Sequence, residues 1–311
     1  MTSAVIVGAR GSGLTTFIGL LYTAQVRFGT EEGDTFRFHV GRETLRQLNE
    51  VYGELGAGRF PTHDVDWEEH SLSFVLSFRA SRVRRWRRPG RNGESGAGNA
   101  RVRVGGITTE ELAELREHDA VVGESTRLLF HSSVVLPLVD ASRLRLEDSG
   151  SATSGPGGYD AQLAATLEFL ARYLSTEPER KAREMHPLFV LTKFDVCSAA
   201  TRDRLGTPPG PVATWSEDAR RAVGQRILER CLPRTGAFLA ASARAGPVRI
   251  APPQWYFSSL RLEEGGEVPR IARRSRAPVG GWEPEYPYEE YRALIERLGW
   301  LARHLPDAAE R

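Results

Sequence analysis

The stretch SAVIVGARGSGLTTFIGLLY, residues 3–22, constrains the fold more than any other part of the chain. Residues 3–7 form a continuous apolar run, as expected of a strand buried on both faces. A glycine-rich turn follows, and TTFIGLLYTAQVRF then sets apolar residues at helical spacing. Strand, glycine turn and helix make the first half of a βα unit. In such a turn the backbone N–H groups curl around an anion, and the helix points its positive end at the same place. Against the phosphate-loop pattern G-x-x-x-x-G-K-[ST], the register is Gly8, Ala9, Arg10, Gly11, Ser12, Gly13, Leu14, Thr15, with Thr16 next. Thr15 falls where a hydroxyl ligates Mg2+. Leu14 stands where the lysine would, and brings no charge to the outer phosphates. That loss is on the order of a strong charge-assisted hydrogen bond or more. By itself the turn fits a phosphate site, a dinucleotide-type turn or a ligand-free connection, so its neighbours have to decide.

Downstream, strand and helix patterns alternate. Residues 41–56 read as a helix ending at glycine, 57–67 as a loop and 70–80 as an alternating strand. RVRVGGI at 101–107 gives a short strand, and 108–130 read mostly as helix. Residues 132–144 hold a strand ending at Asp140, and 149–158 are a Ser/Gly-rich flexible loop. An amphipathic helix is predicted over 159–174 and a buried strand with a polar carboxyl end over 186–196. Helices from about 216 to 231 and on to 244, a strand in PPQWYFSSLRLEE and a last helix over 286–305 complete the chain. The alternation predicts an α/β fold: a mostly parallel sheet with helices on both faces, and insertions.

A chain of 311 residues can bury one large or two modest cores, and its 26% charged, 40% hydrophobic composition is that of a globular protein. With a net charge of +2, nucleic acid or an anionic membrane would have to be recruited locally rather than by a global field. Cys197 and Cys231 are far apart and outside any metal spacing, which suits a reducing compartment. The start lacks a basic leader and no apolar run reaches membrane-spanning length, so the expected location is the cytoplasm, with no transmembrane segment. The histidines form no H-x-x-x-H cluster and no G-x-S-x-G elbow occurs, which sets aside a histidine-based hydrolase.

LTKFD, residues 191–195, lies at the carboxyl end of a buried strand, where ligands gather in open α/β sheets. Thr192-Lys193-x-Asp195 matches the guanine-reading motif [NT]-K-x-D, in which the aspartate accepts both donors of the guanine edge and the lysine stem lies along the base. Alone it could be a surface lysine–aspartate pair. Downstream of a phosphate loop, the coincidence is informative.

These two motifs resemble those of the Ras-like P-loop GTPases, and the insertions and GRFPT segment resemble the bacterial double-GTPase group. The resemblance implies one GTPase-like domain over 1–311, with insertions at 82–101 and 245–285 and a flexible loop at 145–158. It implies GTP or GDP as ligand with Mg2+, phosphates held by Gly8, Arg10, Gly11, Ser12, Gly13, Leu14, Thr15 and Thr16, and guanine read by Thr192, Lys193 and Asp195. Thr62 of FPTHD would be a switch threonine over Mg2+. The last base-side turn would be SSL at 258–260, with Ser259 beside the base, although SAR at 242–244 spells the same motif. Two departures matter. Leu14 replaces the lysine, and the D-x-x-G after the third strand is missing: with Gly106 as its glycine, Arg103 takes the aspartate's place. Asp140 is a tempting substitute but ends the next strand. Arg10 and Arg103 lie near these vacancies and offer compensating cations.

Between Arg82 and Arg101 stand seven arginines with Trp86, and the run from Arg82 to Arg91 has the composition of a nucleic-acid or acidic-surface contact. Charge runs are usually solvated, which makes it a solvated hairpin tip, and a dock for an acidic protein is a third reading; RIARRSR at 270–276 would extend the patch if the fold brought the two together. The sequence thus supports a degenerate GTPase-like protein with weak or no GTPase activity, a guanine-nucleotide-binding or nucleotide-free subunit of a heteromeric protein complex. Its alternatives are an active GTPase switch with unusual phosphate-binding residues and a nucleic-acid-binding factor on the same scaffold.

Overall fold

The structure is a computed structural model describing residues 2–31, 36–62, 74–78, 100–118, 132–144, 158–176, 184–245, 248–263, 269–275 and 281–305. The apolar run at the start forms β1 (Thr2–Gly8), and α1 (Leu14–Glu31) follows the glycine turn. β2 (Phe36–His39) and α2 (Arg42–Gly56) precede β3 (Phe74–Phe78), β4 (Ala100–Thr108) and α3 (Thr109–His118). Next come β5 (Val134–Asp140), α4 (Tyr159–Thr176) and β6 (Glu184–Thr192). Short α5 (Ala199–Arg204), α6 (Glu217–Arg230) and α7 (Pro233–Ala245) lead to β7 (Arg249–Ile250) and β8 (Gln254–Phe257). A small hairpin of β9 (Arg273–Ser275) and β10 (Trp282–Pro284) leads into α8 (Tyr288–His304).

The main sheet runs β2-β3-β4-β1-β5-β6-β7, with β8 also on β6. From β4 through β8 every pairing is parallel, while β3 is antiparallel to both β2 and β4. β7 and β8 are one strand interrupted by Pro252 and Pro253, which have no N–H for the ladder; β7 pairs the start of β6 and β8 its end. This is the α/β class expected from the alternation, with a mostly parallel, mixed sheet.

Strand side chains alternate between faces, and β1 shows the result. Ala4 and Ile6 enter a core with Phe17 and Ile18 of α1, Leu48 of α2 and Leu294 of α8. Val5 and Val7 enter the opposite core with Leu112 of α3, Leu167 of α4 and Ile227 of α6. Both faces of the central strands are therefore dry, which explains their unbroken apolar sequences.

One expectation is corrected at β4. β4 continues through Gly105 and Gly106 to Thr108, so Arg103 pairs with Ser3 and Gly106 with Ile6 inside the strand. The proposed D-x-x-G register therefore does not sit at the strand's end, and Arg103 cannot replace its aspartate there. SAR at 242–244 lies in α7, and the insertion region contributes β7 to β10. The arginine-rich run from 82 to 91, most of the loop at 145–158 and the rest of the helix expected to 130 lie outside the described residues. Among the described residues, no helix is long and apolar enough to cross a membrane.

Candidate functional site

A cavity of about 880 Å³ opens at the carboxyl ends of the parallel strands. Its floor is the glycine turn between β1 and α1. Gly11 (φ 76°) and Gly13 (φ 87°) adopt the left-handed backbone that L side chains resist, which bends the turn around its own N–H groups. Ser12 N–H donates to Ala9 O (2.9 Å), closing the first bend, and Phe17 N–H to Gly13 O (2.8 Å), starting the helical ladder. Ala9, Arg10, Gly11, Gly13, Leu14, Thr15 and Thr16 line the cavity. Gly8 and Ser12 do not: Ser12 is fully buried with its hydroxyl packed beside Gly8, where a Cβ would overlap it.

The turn's carbonyls are held from outside. Thr192 Oγ1 donates to Ser12 O (2.7 Å), Lys193 Nζ to Gly11 O (2.7 Å), and Arg143 Nη2 to Arg10 O (2.8 Å). With these carbonyls tied back and the Ser12 N–H spent on Ala9 O, the first-turn N–H groups of α1 at Leu14, Thr15 and Thr16 give this end of the cavity the polarity an anion requires. Lys193 itself adopts a left-handed backbone (φ 53°), turning the chain from β6 into the short 3-10 turn Phe194–Val196. Its ammonium also meets Asp140 Oδ2 at 2.8 Å. Asp140 is 1% exposed and its Oδ1 accepts from Ser142 N (2.9 Å) and Ser142 Oγ (2.6 Å). It fastens the end of β5 to Lys193 and does not line the cavity.

Asp195 lines the cavity with Lys193, Val196, Ser258, Ser259 and Leu260. The protein packed around it pushes its carboxyl above the usual range. The N–H groups of Asp195 itself and Leu260, then Arg202 and Lys193, pull the other way. SSL at 258–260 is placed here because Ser258 N–H donates to Leu191 O (2.8 Å) and Phe194 N–H to Ser258 O (3.3 Å). Behind it Ser258 Oγ and Tyr291 Oη share a 2.6 Å hydrogen bond. Phe60, Pro61, Leu262 and Pro269 give the cavity an apolar wall.

The other sequence candidates separate clearly. Leu14 is 7% exposed and packs into the α1 core at the cavity's edge, so the lysine's position is filled by apolar contact. Thr62 is turned away: its hydroxyl donates to Glu54 Oε1 (2.9 Å) and its N–H to Glu54 Oε2 (3.2 Å). Arg10 lines the cavity, whereas Arg103 lies five residues before the end of β4.

Sequence reasoning missed the residues after β4. Thr108 and Glu111 form a reciprocal capping box: Thr108 N–H donates to Glu111 Oε2 (2.7 Å) and Glu111 N–H to Thr108 Oγ1 (3.1 Å). The T-x-x-E spacing signalled this. Between them, Glu110 accepts the Arg10 N–H on Oε1 (3.2 Å) and Oε2 (3.1 Å). Carboxylates therefore stand where the sequence pointed to a missing acid. Thr15 and Glu111 both line the cavity and have the oxygen chemistry that Mg2+ takes.

The arrangement offers one end that can grip an anion by backbone N–H groups and another where a carboxylate faces an apolar slot. No protein-family model matches the chain, and no curated protein sequence does.

Proposed function

We propose that this chain is a guanine-nucleotide-binding, GTPase-like protein whose phosphate end is poorly equipped for cleavage. The observation that carries the reading is the coupling of two motifs 180 residues or more apart. Thr192 and Lys193 grip the carbonyls of Ser12 and Gly11, while Asp195, on the same turn, lines the cavity that the glycine turn floors. A chance T-K-x-D has no reason to hold a glycine loop by its backbone. The cavity also fits the parts of the ligand: N–H groups for phosphate, a carboxylate for the paired donors of guanine and an apolar wall for a flat base. Weak turnover follows from Leu14, which supplies no cation to a terminal phosphoryl group. Mg2+ would be held, when bound, by Thr15 with a carboxylate from Glu111. Work within a heteromeric protein complex is the corresponding reading of the family resemblance.

The test is binding of labelled GDP and GTP to the purified chain, with ATP as competitor, followed by phosphate release in excess Mg2+. Guanine-selective binding without release is the expected result, and Asp195→Ala should abolish the selectivity. Equal competition by ATP would remove the guanine reading. The presence of Thr15 on the cavity wall favours one second reading, a slow but competent switch. Phosphate release that disappears in Thr15→Ala would establish it.

A further inference from the structure

One end of the loop is already occupied by an anion belonging to the protein. Glu110, in the first turn of α3, puts both carboxylate oxygens within 3.2 Å of the Arg10 N–H, and Thr109 Oγ1 donates to its Oε2 at 3.0 Å. The capping box on either side fixes the start of the helix, and the helix's positive end favours the charge there. Glu111, one residue on, lines the cavity itself.

The sheet order says which part of a ligand would meet these carboxylates. Asp195 follows β6, the loop follows β1 and Glu110 follows β4, in the spatial order β4-β1-β5-β6. Base corner and acidic corner thus lie on opposite sides of the loop, about 14 Å apart at three strand spacings. A nucleotide with its base at Asp195 and its first phosphates on the loop extends any further phosphate toward Glu110. There it meets like charge, a loop amide already bonded and, at Leu14, an uncharged side chain.

We propose that Glu110 is a specificity-determining residue that turns away a terminal phosphate, so that the site takes guanosine diphosphate in preference to the triphosphate. The inference rests on the nucleotide reading above. A carboxylate this close to an added phosphate weakens its binding by roughly tenfold or more.

Calorimetric titration of the full chain with GDP and with GTP, each with Mg2+ and with EDTA, tests it on wild type, Glu110→Gln and Glu110→Ala. Wild type should prefer GDP by about tenfold or more. Both variants should strengthen GTP binding by a similar factor and leave GDP within about twofold. Equal affinities in wild type, or an unchanged ratio in a variant that melts like wild type, overturns the selectivity alone. GTP binding that weakens in Glu110→Gln only when Mg2+ is present also overturns it, because the carboxylate would then be serving the metal. A folded wild-type chain that binds neither nucleotide overturns the nucleotide reading and the selectivity together.

Discussion

At position 14 the side chain serves the core and brings no charge to the cavity. Leu14 is 7% exposed and packs with α1's other apolar residues, yet it also lines the cavity. A lysine there would lose part of that burial, at a cost of about 1–2 kcal/mol, but its ammonium could reach past the apolar edge to the loop. Leu14→Lys is therefore expected to lower the melting temperature while raising GTP affinity about tenfold, as a new charge-assisted contact would. Thermal melts and titration of the same preparation check both halves. A stability loss with no gain in GTP affinity would mean that the missing cation does not limit binding. That the glycine turn and the T-K-x-D segment would border one cavity was legible in the sequence, because both are short, local patterns at the carboxyl ends of strands. Glu110 was not: its partner is an amide 100 residues away, and Gly105-Gly106 imitates the end of a strand that continues to Thr108.

Among the elements, α4 and α7 are joined by a cap that crosses between helices. Asp160, in the first turn of α4 and 7% exposed, accepts from the first turn of α7: Arg234 N–H on Oδ2 (2.7 Å), and Thr235 N–H (3.0 Å) and Oγ1 (2.7 Å) on Oδ1. One carboxylate thus satisfies α7's orphan N–H groups and meets its positive end. Asp160→Ala takes the acceptor from the buried Thr235 N–H and is expected to cost about 2 kcal/mol; Asp160→Asn, which keeps an acceptor, costs less. Urea denaturation measures both, and a loss under about 1 kcal/mol for the alanine variant would show that water replaces the cap. Apolar periodicity revealed both helices but not this bond, since a cap contributed by another helix leaves no local signature. β2 and β7 were missed for a related reason. At four and two residues they carry too little pattern, and their pairing partners define them.

Across the whole molecule, the last helix ties the sheet to the helices beyond its edge through one buried acid. Glu290, 2% exposed in α8, accepts the Phe257 N–H of β8 (3.1 Å) and lies 2.7 Å from Arg220 of α6. Next to them are Ser258, bonded to Tyr291, and the turn that borders Asp195. Burial pushes the Glu290 carboxyl up to about 7, against the opposing pull of Arg220 and the Phe257 N–H. An acid with a raised pKa binds its proton more readily in the folded chain than in the unfolded one. Between its ordinary value of 4.5 and about 7 the native state therefore holds the extra proton, and stability falls as pH rises through that window, then levels off. The full span is worth roughly 3 kcal/mol. Glu290→Gln, neutral at every pH, should remove this slope and leave the chain at least as stable as wild type near pH 8. Urea unfolding of both proteins at steps between pH 5 and 8 provides the comparison. If wild type instead gains stability over glutamine as pH rises, the ion pair with Arg220 outweighs burial, and α8 is held to the sheet by charge.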